Sequence, residues 1–191
     1  MIEWSHSQLG KMMMAPPRSK AQIQSQINEN KHYREDLDYI QGTLDDCNVF
    51  IGQTSSEQEG NTDASFCVTV GMFQHQLPEL VMCGVPVPLV KQIVEELAEG
   101  HDFDRGFIAG KHSKSIHGLT VMALPIEKPE SHDVLSICHD VYTLRGLSQV
   151  SAVQLVFADE AGSFPWSRAY SENERKYQPV LGLAGAGVLA N

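Results

Sequence analysis

The chain has 191 residues, and its 24 acidic and 14 basic side chains give a formal net charge of −10 at pH 7. This length, with 42% apolar residues, is typical of one globular domain with a terminal extension and excludes a disordered or fibrous chain. No apolar run approaches the ~20 residues of a membrane span, and the first residues lack the apolar core of a secretory signal. We therefore expect a cytoplasmic protein that does not enter a membrane.

The charge is unevenly distributed along the chain. Residues 1–34 carry five basic and two acidic side chains, whereas residues 35–90 carry nine acidic and no basic ones. Nucleic-acid binding needs clustered cations to neutralise phosphates, so this distribution argues against it. The acidic segment from Glu35 to Glu79 is either a solvated surface or a face for a basic partner.

Two helices are predicted near the N-terminus. Ser19 can cap a short helix that runs to about Asn30, and its weak apolar stripe places it at the periphery. A stronger helix follows, with apolar residues at steps of three or four: Tyr33, Leu37, Ile40, Leu44 and Cys47. The sequence CNVFIG (47–52) is a candidate strand, and residues 53–63 form a polar loop.

Strands and helices then follow one another irregularly. ASFCVTVG (64–71) and ELVMCGV (79–85) predict two antiparallel strands, and Pro88 opens a helix that ends at Gly100. Further elements are a strand at HGLTVMALP (117–125), a helix over 131–144 and a strand at SAVQLVFAD (151–159). We predict an α+β fold with a mainly antiparallel sheet, which can close into a barrel-like form, and helices packed on it.

The same patterns divide the chain into three parts. Residues 1–32 are predicted to be an N-terminal extension, partly flexible or a peripheral helix. Residues 33–182 form a single α+β domain, and the glycine-rich residues 183–191 form a C-terminal tail.

The cysteines and histidines show no recognisable metal or redox motif. The four cysteines share no C-x-x-C spacing, and the eight histidines give no two-plus-one ligand pattern, so we expect no metal and no cofactor. The weak candidates for acid–base catalysis are His75, Asp159 and His117, which would have to converge in three dimensions.

Two large aromatic residues flank a proline at Phe164-Pro165-Trp166, directly after a polar turn. This rigid apolar element is either a plug over one end of the sheet or the wall of a ligand cleft, and we favour the plug. In either case we expect it to border the pocket of the protein.

Four segments resemble an uncharacterised bacterial family, domain of unknown function 4262. They are FCVTVGM (66–72), PELVMCGVP (78–86), QLVFADEAGSFPW (154–166) and QPVL (178–181). The resemblance covers roughly residues 33–182. The family's histidine before Pro-Glu-Leu is replaced by Leu77, with His75 displaced by two positions, and its Trp-Pro before the aspartate is Phe157-Ala158 here.

The resemblance implies a fold but brings no established activity. We favour a binding or regulatory module that engages a small molecule or a protein through a face near Gly71, Phe164, Pro165 and Trp166. One alternative is an enzyme whose site assembles around His75 and Asp159. The other is an effector or anti-defence type protein that docks a basic partner through its acidic segment.

Overall fold

A computed structural model describes residues 18–55, 65–99, 105–147 and 149–181. The predictions for residues 1–17, for residues 56–63 of the polar loop, for Gly100 and for the C-terminal tail lie outside these ranges. The helices are α1 (Lys20–Glu29), α2 (Lys31–Asp45), α3 (Val87–Ala98), α4 (Arg105–Ile108), α5 (Ser136–Arg145) and α6 (Glu172–Arg175). The strands are β1 (Phe50–Ser55), β2 (Ser65–Val70), β3 (Glu79–Cys83), β4 (Lys114–Ile116), β5 (Leu119–Pro125) and β6 (Ala152–Phe157).

The strands form one six-stranded sheet in the order β1-β2-β3-β6-β5-β4. Two antiparallel three-stranded units, β1-β2-β3 and β6-β5-β4, meet in the middle, where β3 and β6 pair in parallel. The α+β class and the antiparallel β2–β3 pair are confirmed. The prediction of a mainly antiparallel, barrel-like sheet is wrong, because the central pair is parallel and the described strands β1 and β4 are edges of an open sheet.

Alternating residues of each strand divide the core between the two faces of the sheet. On one face, called face 1, Leu80, Met82 and Leu155 pack against the apolar stripe of α3 and against Phe107 of α4. On the other, called face 2, Phe66, Val68 and Val81 belong to one core with buried side chains of α1, α2 and α5.

The helices follow the predicted periodicity with shifted ends. In α2 the buried residues are Tyr33, Leu37, Ile40 and Leu44. The predicted helix over 131–144 begins only at Ser136, after two short 3-10 turns at Pro129–Ser131 and Asp133–Leu135. Helix α1 is mostly exposed and has one buried residue, Ile23, in the face 2 core. None of the described helices is long and apolar enough to cross a membrane.

Candidate functional site

A cleft lies at the carboxyl ends of the two parallel central strands. After β3 the chain turns into α3, which covers face 1, whereas after β6 it leads to Phe164 and Trp166, which pack on face 2. When the chain leaves two neighbouring parallel strands toward opposite faces of the sheet, a crevice forms at the carboxyl ends of these strands. Open α/β sheets bind their ligands in such crevices. The fold therefore places a preformed concave surface at the centre of the sheet.

The cleft has a volume of about 620 Å³. Cavities that hold small molecules in proteins usually enclose roughly 300–1,000 Å³. Its lining includes Cys83–Val87 from the end of β3 onward, Phe157–Asp159 from the end of β6 onward, Leu89 of α3 and Leu119 of β5. Gln53 and Ser65 of β1 and β2, together with Tyr170, Glu174, Tyr177 and Gln178, complete the described lining.

The C-terminal segment, residues 170–181, forms one wall of this cleft and is anchored by the side chain of Gln178. The Gln178 carboxamide accepts from the Phe157 amide at 2.7 Å and donates to the Phe157 carbonyl at 2.8 Å. Its nitrogen also lies 2.9 Å from the Tyr170 hydroxyl. The last paired residues of β3 and β6 are Met82 and Leu155. Beyond this pair, the side chain of Gln178 takes the place of β3 as the hydrogen-bond partner of the β6 backbone.

Further contacts hold the segment against the sheet. Gln154 of β6, which is fully buried, donates to the Pro179 carbonyl at 2.7 Å and accepts from the Leu181 amide at 2.6 Å. The Arg175 guanidinium donates to the carbonyl of Pro165 and, at 3.1 Å, to that of Ser167. The wall is therefore fixed in place before any ligand arrives.

Gly84 allows the C-terminal segment to pass directly over the end of β3. Its φ is +72°, and a Cβ atom there would lie 3.0 Å from the Tyr177 carbonyl oxygen. That same oxygen accepts a hydrogen bond from the Cys83 thiol at 3.1 Å. A side chain at position 84 would be strained by the backbone conformation and would crowd the segment.

The Cys83 thiol is unsuited to act as a nucleophile. Burial raises the pKa of Cys83 to about 12, since its surroundings disfavour the thiolate. A cysteine nucleophile needs a lowered pKa, and Cys83 has the opposite. The cysteine that lines the cleft therefore acts as a structural hydrogen-bond donor.

Asp159 and Tyr170 supply polar groups to the cleft. The Asp159 carboxylate accepts from the amides of Ala161 (3.0 Å) and Ser163 (2.8 Å), which fixes the turn after β6. Burial raises the pKa of Tyr170, and the hydrogen bond with Gln178 lowers it in part. The charges of Glu174 and Asp159 raise this pKa further, and the charge of Arg175 lowers it.

His75 and Asp159 lie near opposite ends of the central strands. Asp159 follows β6 at the carboxyl edge of the central pair, whereas His75 ends the 3-10 turn after β2, which runs antiparallel to β3. A six-residue strand such as β6 is roughly 20 Å long, so the two side chains do not converge. Gly71 also lies at this distant edge, buried, where its amide donates to Glu79 at 3.0 Å.

His117 lies at the same edge as Asp159 but outside the described lining of the cleft. It occupies the tight β4–β5 turn with φ of +49°, and its Nε2 is 3.0 Å from Glu96 of α3. This contact joins the hairpin to α3, and both side chains are partly exposed.

Phe164 and Trp166 form a stacked pair on face 2. Their rings are 4.9 Å apart and nearly parallel, and they pack against Met122, Leu124 and Val156. Pro165 between them is buried. The pair covers the β5–β6 part of face 2 and does not line the cleft described above.

Two buried polar networks, which the sequence patterns did not single out, lie on the α5 side of the sheet. Each carboxylate oxygen of Glu79 accepts from one hydroxyl and one backbone amide: Oε1 from Tyr142 and Gly71, Oε2 from Thr69 and Met72. Burial raises the pKa of Glu79, and these four hydrogen bonds lower it in part. The available sequence signal is an acid at the start of the otherwise apolar strand β3.

The second network joins Arg18, which precedes α1, and Tyr33 of α2 to α5. Asp140, 1% exposed, accepts hydrogen bonds from Arg18 and from the Tyr33 hydroxyl. Burial raises the pKa of Asp140, and the Tyr33 hydrogen bond and the Arg18 charge lower it in part. Arg18 therefore contributes the cation that a buried carboxylate requires.

Within the described ranges, no group of three or more histidine, cysteine, aspartate or glutamate residues is arranged to hold a metal ion. Disulfides are also absent there: Cys47 is exposed, and Cys67, Cys83 and Cys138 are buried as free thiols.

Comparison with known proteins gives one family match. The model of DUF4262, a domain of unknown function, matches residues 51–171. This region contains β2–β6 and all of β1 except Phe50. It ends just before α6, so Glu174, Tyr177 and Gln178 of the cleft lie beyond it. No curated protein and no solved structure shows a significant match to the chain.

Proposed function

Because the chain belongs to the DUF4262 family, whose description assigns no activity, we propose from the site itself that this protein is a binding module whose cleft holds a small molecule. The observation that carries the proposal is the position of the cleft at the carboxyl ends of β3 and β6. The chain leaves these parallel neighbours toward opposite faces, which is the arrangement that forms ligand crevices in open sheets.

The chemistry of the lining supports binding rather than catalysis. Cys83 donates to a carbonyl, and its pKa is raised to about 12. Asp159 is bonded to two backbone amides of its own turn. His75 and Asp159 lie at opposite ends of the strands, and this separation does not support the enzyme hypothesis that combines them.

The acidic docking hypothesis receives less support from the described residues. Among the described acids from 35 to 79, Glu79 is buried, and Glu35 and Asp45 are exposed but paired with Lys31 and Arg145. These described acids therefore do not all present unpaired charge to a partner. A salt titration of any partner complex distinguishes it, since exposed charge pairing weakens as screening increases.

A fragment screen by ligand-observed NMR tests the cleft directly. Ala158→Trp fills the cleft from the β6 side and Val87→Trp from the α3 side, while Ala21→Trp on the exposed surface of α1 serves as the control. We expect fragments that bind the unmodified protein to be lost in both cleft variants and retained in the control. Fragments that bind all four proteins equally, or no fragment binding at all, would contradict the proposal.

A further inference from the structure

The charged side chains among the described lining residues of the cleft are Asp159 and Glu174, and both are acidic. Residues 35–90 contain no lysine or arginine. They supply part of the lining, namely Gln53, Ser65 and residues 83–87, and this part therefore carries no lysine or arginine. Arg175 and Lys176 adjoin Glu174 in the sequence but do not line the cleft. Arg175 binds the carbonyls of Pro165 and Ser167, and its guanidinium lies 5.7 Å from the centre of the Tyr170 ring. The Lys176 ammonium lies 4.6 Å from the centre of the Tyr177 ring.

Both carboxylates line the same cleft, Asp159 from the turn after β6 and Glu174 from α6. The position of Asp159 is fixed by the amides of Ala161 and Ser163, at 3.0 and 2.8 Å. A negative charge that is held in place before the ligand arrives attracts a cation without the cost of ordering a mobile side chain. It also repels an anion, so the cleft selects by charge.

The remainder of the lining includes six apolar side chains. These are Val85, Pro86, Val87, Leu89, Leu119 and Phe157. The exposed ring of Tyr177 extends this apolar surface, and the Lys176 ammonium already lies over it at 4.6 Å. A fully matching ligand has an apolar body for this wall and a positive charge for the two acids.

We infer that the ligand of the cleft is a small organic cation with an apolar body, such as an arylalkyl or alkyl ammonium compound. The inference rests on the proposed function, because it names the ligand class of that same cleft. The volume of about 620 Å³ suits a small molecule of this kind.

Three probes of similar size and different charge test the inference: 2-phenylethylammonium, 2-phenylethanol and 3-phenylpropionate. We expect the ammonium probe to bind about tenfold more tightly than the alcohol, and the carboxylate probe to bind most weakly. Raising the salt concentration should weaken binding of the ammonium probe and leave binding of the alcohol nearly unchanged.

Charge-neutralising variants of the full chain assign the effect to the two acids. Asp159→Asn keeps the oxygen that accepts from Ala161 and Ser163, and Glu174→Gln keeps the size of the side chain. Each should reduce the affinity of the ammonium probe severalfold and leave the alcohol unchanged. Glu160→Gln, at an exposed neighbour outside the described lining, should alter neither.

The outcomes separate this inference from the proposed function. If the alcohol binds as well as the ammonium probe and Ala158→Trp abolishes both, the cleft is a binding site but the ligand class is wrong. An ammonium preference that survives in both Asp159→Asn and Glu174→Gln also overturns the inference. If the ammonium probe fails to bind at millimolar concentration, the inference is overturned, and the fragment screen decides the function separately.

Discussion

Replacing Gln178 with alanine should destabilise the protein strongly, because this side chain anchors the C-terminal segment to the end of β6. The substitution removes both hydrogen bonds to Phe157 and the contact with Tyr170 at a site that is 7% exposed. It leaves the buried amide and carbonyl of Phe157 without partners, each at about 1–3 kcal/mol. We expect a loss of about 3 kcal/mol in the free energy of unfolding, which lowers Tm by roughly 6–12 °C in a domain of this size.

Urea denaturation followed by circular dichroism measures this loss. The matched control is Gln92→Ala on the exposed surface of α3, which should change the free energy of unfolding by less than about 0.5 kcal/mol. If Gln178→Ala destabilises the protein no more than Gln92→Ala does, then Gln178 does not anchor the segment, and our description of the cleft wall is wrong.

Three further predictions concern the buried groups. Glu79→Gln should lower the free energy of unfolding by about 1–3 kcal/mol in urea denaturation. Each carboxylate oxygen accepts from a backbone amide, so in either orientation the carboxamide would point its NH₂ group at one of these amides. An unchanged free energy of unfolding would contradict this prediction. Arg18→Ala should lower the free energy of unfolding most near pH 7 and less as the pH falls toward the ordinary pKa of aspartate. Without the cation, the pKa of Asp140 in the folded state rises further. The folded variant then binds more protons than its unfolded state, so it becomes relatively more stable as the pH falls. A pH-independent loss would show that Arg18 acts by packing alone. Alkylation of the native protein should modify Cys47 rapidly and Cys83 only on unfolding, and rapid labelling of Cys83 in peptide mapping would refute its burial.

Much of the local structure follows directly from the sequence, because it depends on neighbouring residues. The apolar stripe of α3 and the alternation in β6 specify their elements with ends that shift by a few residues. The sequence does not predict strand β4, because its three residues, Lys114–Ile116, are too few to show an alternating pattern. The 3-10 turn at Asp133–Leu135 lies inside the predicted helix over 131–144, because three residues are too few for a sequence pattern to distinguish such a turn from the start of an α-helix.

The candidate site depends on strand order, which local patterns do not encode. Glu79 and Ala152 are parallel partners although 72 residues separate them, and this pairing creates the cleft. It also places His75 and Asp159 at opposite edges, so their proposed convergence could not be judged from the sequence. Gln178 and Gly84 lay within segments that resemble the family, yet their roles appear only when the C-terminal segment is seen to cross the end of β3.

A backbone amide chemical-shift map, recorded with the tightest-binding fragment of the screen, tests the central claim most directly. If the cleft is the ligand site, the perturbed amides should cluster at residues 83–87, 157–159 and 174–178, and the same fragment should leave the spectrum of Ala158→Trp unchanged. Perturbations centred on Gly71 and His75, at the other edge of the sheet, would contradict the account and place the site where the parallel strands begin.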